Sequence, residues 1–258
     1  MKNMYLWALA LACAGFTAQA QNPEPCGIEI PASSIEYLDQ SRVERQKFNP
    51  FDLKSVRNIP VQHHIIRRSN GTGGLNPSLI PGLMNDLNTY YSGANIAFFE
   101  CGPINFIDDD QYYDFTTSQE SSIGNANDVD NVINVYYFNS VSSGSSCYCG
   151  YTRVPPSTID RIVMANGCAT NGSTFIHEFG HYFSLYHTHG KTNNGTTDEL
   201  VNGSNCATAG DDVCDTPADP NLSGKVNSSC QYTGTGTDAN GDAYNPDPSN
   251  IMSYSLKA

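Results

Sequence analysis

The stretch His177-Glu178-Phe179-Gly180-His181-Tyr182-Phe183-Ser184-Leu185-Tyr186-His187 constrains this chain more than any other. Two histidines four positions apart on a helix stand one above the other on the same face, so both imidazoles reach a common point. Glu178 lies on the flank of that face, suited to touch a metal-bound water rather than the metal. His187, six residues past His181, supplies a third nitrogen only if the chain turns back after the helix. Three nitrogen ligands with an open fourth position describe a catalytic zinc centre rather than a structural one.

A 258-residue chain that is 39% apolar and 10% aromatic can bury one good core. Its 13 basic against 26 acidic side chains leave a net charge of −13. That balance excludes nucleic acid and anionic membrane as partners, because both require a basic surface. It fits an acidic extracellular protein, and the Asn- and Asp-rich loops downstream leave room for calcium.

The N-terminus reads as a signal peptide over residues 1–20. Lys2 supplies the positive end, Leu6 to Phe16 the apolar run, and Ala18-Gln19-Ala20 the cleavage site. That run is too short to span a bilayer, and no later one is long enough, so no membrane insertion is expected. A lipoprotein anchor through Cys13 is the weaker alternative, since Ala10-Leu11-Ala12 is a poor match to the required signal. Eight cysteines remain after Cys13, and in an exported chain they are expected to be mostly disulfides.

Residues 21–57 are polar and propeptide-like, with a charged stretch from Glu36 to Lys47 of helical character. Ile59 to Arg67, Ile96 to Phe99, Val132 to Phe138 and Arg161 to Ala165 read as strands. Leu79, Leu83, Leu87 and Tyr90 recur at helical spacing, and Pro81 is tolerated only in that helix's first turn. Residues 171–186 read as the metal helix, entered through Asn171-Gly172-Ser173. From Gly190 to Asn250 the composition shifts to Gly, Asn, Asp, Thr and Pro, an irregular lobe. A cleft is expected where the two halves meet. His63 and His64 read as strand or surface residues, and His189 as a loop residue beside the site.

Three segments carry a family resemblance: His177 to Thr188, Gly210-Asp211-Asp212-Val213-Cys214-Asp215-Thr216-Pro217-Ala218, and Asn250-Ile251-Met252-Ser253-Tyr254. Their types and order resemble the pappalysin family of secreted metzincin metalloproteases, over roughly residues 59–254. The resemblance implies an α+β fold with a mixed-sheet upper lobe, a central zinc helix and an irregular lower lobe. It implies a catalytic domain over 58–258, ending short of the C-terminal helix metzincins usually carry.

The same resemblance assigns roles. His177, His181 and His187 match the zinc ligands, Glu178 the general base, and Met252 the methionine of the turn beneath the metal. Tyr254 matches a tyrosine that approaches the zinc or the oxyanion. The Asp211–Thr216 segment resembles a region where relatives bind structural calcium, whereas Asp238-x-Asn240-x-Asp242 lacks the glycine and glutamate of a calcium loop and reads as a turn.

Cys26-Gly27 resembles the propeptide cysteine whose thiolate fills the fourth zinc position until it is removed, against the alternative of a disulfide, which an odd remaining count would favour. Ser184 stands where the family has a glycine with positive φ. Either Ser184 takes that strain, at about 1 kcal/mol, or His187 arrives by a different turn. The expected activity is secreted zinc-dependent endopeptidase action on protein or peptide substrates. The alternatives are a zinc-binding but catalytically impaired relative acting as a binding module, and a structural exported protein with an incidental histidine cluster. No feature of the sequence fixes an oligomeric state.

Overall fold

The computed structural model describes residues 26–27, 30–46, 55–192 and 195–255. The signal-peptide and lipoprotein readings, which rest on residues 1–20, lie outside the described residues.

The charged N-terminal stretch forms helix α1 (Ala32–Gln46). The body follows with β1 (Arg57–Arg67), a 3-10 turn at Pro77–Leu79, and α2 (Ile80–Tyr91). Pro81 sits in the first turn of α2, where its missing N–H costs nothing. Next come β2 (Ile96–Glu100), β3 (Asn105–Asp108), α3 (Asp110–Tyr113), β4 (Asp114–Thr116) and α4 (Glu120–Asn127). Strands β5 (Ile133–Phe138), β6 (Ser140–Ser143), β7 (Ser146–Tyr148), β8 (Gly150–Thr152) and β9 (Arg161–Ala165) precede α5 (Asn166–Ala169) and α6 (Thr174–Tyr182). The rest is loops and isolated bridges.

The main sheet runs β2-β1-β5-β9-β8, with β3 also pairing β1. All its pairs are parallel except β8 with β9. It is therefore the expected mixed sheet, and β8 lies at its edge. Side chains alternate between two buried faces, which is why the central strands read as unbroken apolar runs. Val61, Ile65, Val135, Tyr137, Ile162 and Met164 face α2 and α6, where Phe175, Ile176 and Phe179 complete the core. Ile66, Tyr136, Phe138 and Val163 face the opposite cluster with Phe115 and Ile123.

His63 and His64 lie in β1, fully buried and apart from the metal motif. His63 Nδ1 pairs with the Tyr137 hydroxyl at 3.0 Å, and the His64 ring stacks on Tyr136 at 4.2 Å. Burial pushes the His63 pKa down to about 4, so it packs as a neutral core group.

Two expectations are corrected. The metal helix was read as residues 171–186 but spans Thr174–Tyr182. Asn171 accepts hydrogen bonds from the Ser173 and Thr174 amides and starts it, and Ser184 at φ 70° stops it. The apolar period persists past the helix because Phe183 and Tyr186 are recruited by tertiary packing, whereas Leu185 is exposed. The cysteines are not mostly bridged: Cys149–Cys168 and Cys206–Cys214 are disulfides, whereas Cys26, Cys101, Cys147 and Cys230 are outside any disulfide. Cys101 and Cys230 are exposed and Cys26 is buried elsewhere, so these thiols do not meet.

Candidate metal centre

Helix α6 is amphipathic and packed on its apolar face by Phe98 and the core of the sheet. That packing fixes its roll and turns His177 and His181 toward the loop-rich half. The helix then ends in a motif that reverses the chain. The Ser184 amide donates to the His181 carbonyl at 2.8 Å, and the Leu185 amide reaches back to Gly180 at 3.0 Å. These two bonds, with a left-handed residue between them, form a Schellman termination. Ser184 takes the left-handed conformation itself, and the reversal delivers His187 to the site.

Three imidazoles meet there. His181 Nε2 lies 2.9 Å from His177 Nε2 and 3.0 Å from His187 Nε2. His177 Nδ1 donates to the Ile251 carbonyl at 2.7 Å, and His181 Nδ1 to the Leu185 carbonyl at 2.8 Å. A carbonyl can only accept, so both rings carry their single proton on Nδ1 and present a bare lone pair at Nε2. Two lone pairs 2.9 Å apart, with no proton to share, repel. Burial drives the His177 pKa down to about 4, and burial with the neighbouring imidazoles drives His181 and His187 well below their ordinary value, so protonation does not relieve the conflict. A cation between the rings does, and nitrogen donors oriented by backbone carbonyls suit zinc.

Cys26 completes the group. Its thiol is 1% exposed, and its sulfur lies with the three histidine nitrogens in a set whose ligand atoms are all within 4.8 Å of one another. Among the described residues this is the one His/Cys/Asp/Glu group of three or more that meets that spacing. The sulfur also lies 3.8 Å from Glu178 Oε2. Glu178 is fully buried, and its other oxygen has no hydrogen-bond partner. Burial pushes its pKa up to about 8, with the Cys26 contact pulling the other way.

Met252 lies under α6 against Gly180 and is 5% exposed. Its carbonyl accepts from the Thr188 amide at 3.1 Å, and the preceding carbonyl holds His177, so this turn buttresses two ligand segments. The Tyr254 ring packs edge-on against His187 at 4.4 Å. His189 stacks flat on His187 at 5.0 Å and stands outside the four-ligand group. Asp238 accepts from the Asn240 and Asp242 amides, so that segment is a turn as read.

Some of the site had no sequence signal. The Ile251 and Leu185 carbonyls fix two imidazole tautomers, but any residue supplies a carbonyl. Thr188 donates a short hydrogen bond to buried Asp219, 31 residues on. The edge strand β8 receives the N-terminal segment, with the Gly27 amide donating to the Gly150 carbonyl at 2.8 Å.

No protein-family model matches the chain. It is similar to an extracellular metalloprotease of Podospora anserina, 26% identical over 254 aligned residues that cover 84% of this chain and 81% of the relative. It is also similar to one of Arthroderma benhamiae, 23% identical over 265 residues, covering 96% and 95%. Its backbone matches a promirolysin mutant of Tannerella forsythia with a TM-score of 0.54 at 18% identity, over 90% of this chain and 87% of that one.

Proposed function

From the premise of a metzincin-type metalloprotease with an α+β fold, we propose that this chain is a secreted zinc endopeptidase, held latent by Cys26. The observation that carries the reading is the convergence of three buried imidazole nitrogens, two of them bare lone pairs, with a buried, partly unpartnered glutamate beside them. The comparisons support a metalloprotease in general; the ligand roles, mechanism and secretion are our assignment. The names of the two fungal relatives and the disulfides fit an extracellular location.

His177, His181 and His187 would hold the ion. Zinc so bound supplies Lewis acidity and lowers the pKa of a water toward neutrality. Glu178 would accept a proton during attack on the peptide carbonyl and pass it to the leaving amine, its carboxylate form favoured once a cation is held by the adjacent histidines. Tyr254, whose ring lies against the third ligand, would donate to the developing oxyanion. In the latent chain the Cys26 thiolate would be the fourth residue to hold the ion and so exclude water, and residues 21–57 would serve as the prosegment after a signal peptide at 1–20. The impaired-binder alternative drew on Ser184. The positive φ that Ser184 adopts, and the delivery of His187 that follows, favour the enzyme.

Calcium belongs to the lower lobe in this reading. Glu199 is 2% exposed, and Glu199 Oε2 and Asp219 Oδ1 are buried without partners. Burial and the nearby Asp211 push Glu199 up to about 7, and burial lifts Asp211 to about 6. Oxygen donors of this kind are what calcium takes, although these carboxylates do not converge as the four metal-centre ligands do.

The test takes the full chain, zinc-loaded and then matured by limited proteolysis of the folded protein, against a mixed peptide library. Cleavage abolished by chelator and by Glu178→Gln is the expected outcome. No cleavage from the zinc-loaded matured sample overturns the enzyme reading.

A further inference from the structure

We propose that the site beside the metal centre lined by Val154, Tyr186 and Tyr254 is a specificity subsite that takes an aliphatic side chain of the substrate, and that Leu38 occupies it in the latent chain. The inference rests on the endopeptidase reading above and adds the substrate class.

The N-terminal segment lies against the catalytic body in two places. Cys26 enters the metal group, and the neighbouring Gly27 amide bonds to Gly150 on the edge strand. The Gly27 Cα is pressed on the Tyr148 ring so closely that a Cβ would lie 2.5 Å from Cγ, which fixes the segment's path there. Twelve residues on, α1 sets Leu38, 3% exposed, into one apolar cluster with Cys26, Val154, Tyr186 and Tyr254. Ser34, one turn earlier, donates to the Val154 carbonyl at 3.3 Å.

The walls come from three segments, each tied to the reacting centre. Val154 follows edge strand β8, Tyr186 immediately precedes the third histidine, and Tyr254 packs 4.4 Å from that histidine's ring. Removal of the prosegment takes Leu38 away and leaves this apolar surface next to the metal. A side chain flanking the scissile bond is the group that re-covers it, because buried apolar area is the driving force such a site offers.

The present occupant sets the size and polarity of what fits. The walls are apolar or aromatic, and the charge over the Tyr186 ring, Lys191 Nζ at 5.4 Å from the centroid, is already paired with Asp212 at 3.0 Å and with Asp39 of α1 at 3.5 Å. An aliphatic side chain of leucine size matches the present occupant.

The zinc-loaded full chain, matured as above, is given a peptide library, and cleavage sites are read by mass spectrometry. Leu, Ile or Met should be enriched at one position flanking the cut, with Leu→Ala there lowering kcat/KM about tenfold or more. Val154→Phe should shift that position toward smaller residues. Enrichment of Lys or Arg, no enrichment on either side, or an unchanged Leu-to-Ala ratio in Val154→Phe overturns the subsite while leaving the protease standing. If nothing is cleaved, the endopeptidase reading falls, and the subsite is decided by binding of a synthetic peptide of residues 24–41 to the matured protein. Replacing Leu38 by Lys in that peptide should weaken binding about tenfold or more by the same side-chain discrimination, and equal binding overturns it.

Discussion

Gly180→Ala sets two effects of opposite sign against each other. Gly180 lies inside α6, where alanine is favoured over glycine by about 1 kcal/mol from helix propensity alone. A Cβ built there overlaps Met252 Sδ and comes within 3.0 Å of its Cε. Overpacking of this kind costs about 1–3 kcal/mol, and Met252, 5% exposed beneath the helix, has little space into which its side chain can shift. The overlap should win, leaving the variant about 1 kcal/mol less stable and its zinc more easily removed.

The assay is urea unfolding of the zinc-loaded full chain with a chelator titration beside it. In a Met252→Ala background the overlap is gone, so Gly180→Ala should become stabilising by about 1 kcal/mol. The sign reversal is the signature. If Gly180→Ala stabilises the otherwise natural chain, Met252 is not the close support described here.

Ser184→Gly relieves a left-handed residue worth about 1–2 kcal/mol but loosens the unfolded chain by part of that, so urea midpoints should rise by the equivalent of about 0.5 kcal/mol. A lower midpoint would place the strain elsewhere. Glu199 and Asp211 are raised above their ordinary 4.5 and 3.8, so the native state holds protons the unfolded chain has lost. The sign follows: in calcium-free, zinc-containing buffer, stability contributed by these groups should fall as pH rises from about 4 to about 7. Calcium should restore it above pH 7, and Glu199→Gln should flatten the slope; a slope unchanged in that variant contradicts the assignment. Leu38→Asp in the intact chain should speed alkylation of Cys26 by loosening α1, with Leu38→Met close to the natural rate, measured by mass spectrometry of the modified thiol; equal rates for both would detach Leu38 from latency.

How far the sequence carried depends on what each feature needs. His177 and His181 follow from helical spacing alone. His187 needed a reversal that only the φ of Ser184 reveals, and the Met252 and Tyr254 assignments rested on resemblance. The central strands were legible because Val61, Ile65, Val135 and Ile162 sit in apolar runs. Strands β3, β4, β6, β7 and β8 span three or four residues each, too few to show a period, and the edge that receives Gly27 is among them. The position of Cys26 was open between plug and disulfide because the histidines it meets lie 151 or more residues away in the chain. The odd cysteine count that weighed against the plug reflects Cys101, Cys147 and Cys230, which the structure leaves outside any disulfide.

X-ray absorption at the zinc edge of the intact, zinc-loaded chain tests the central claim most directly. Three nitrogen scatterers at about 2.0–2.1 Å and one sulfur at about 2.3 Å are predicted, with the sulfur lost in Cys26→Ala. A shell without sulfur in the intact chain, or less than one bound zinc in folded protein, would contradict it.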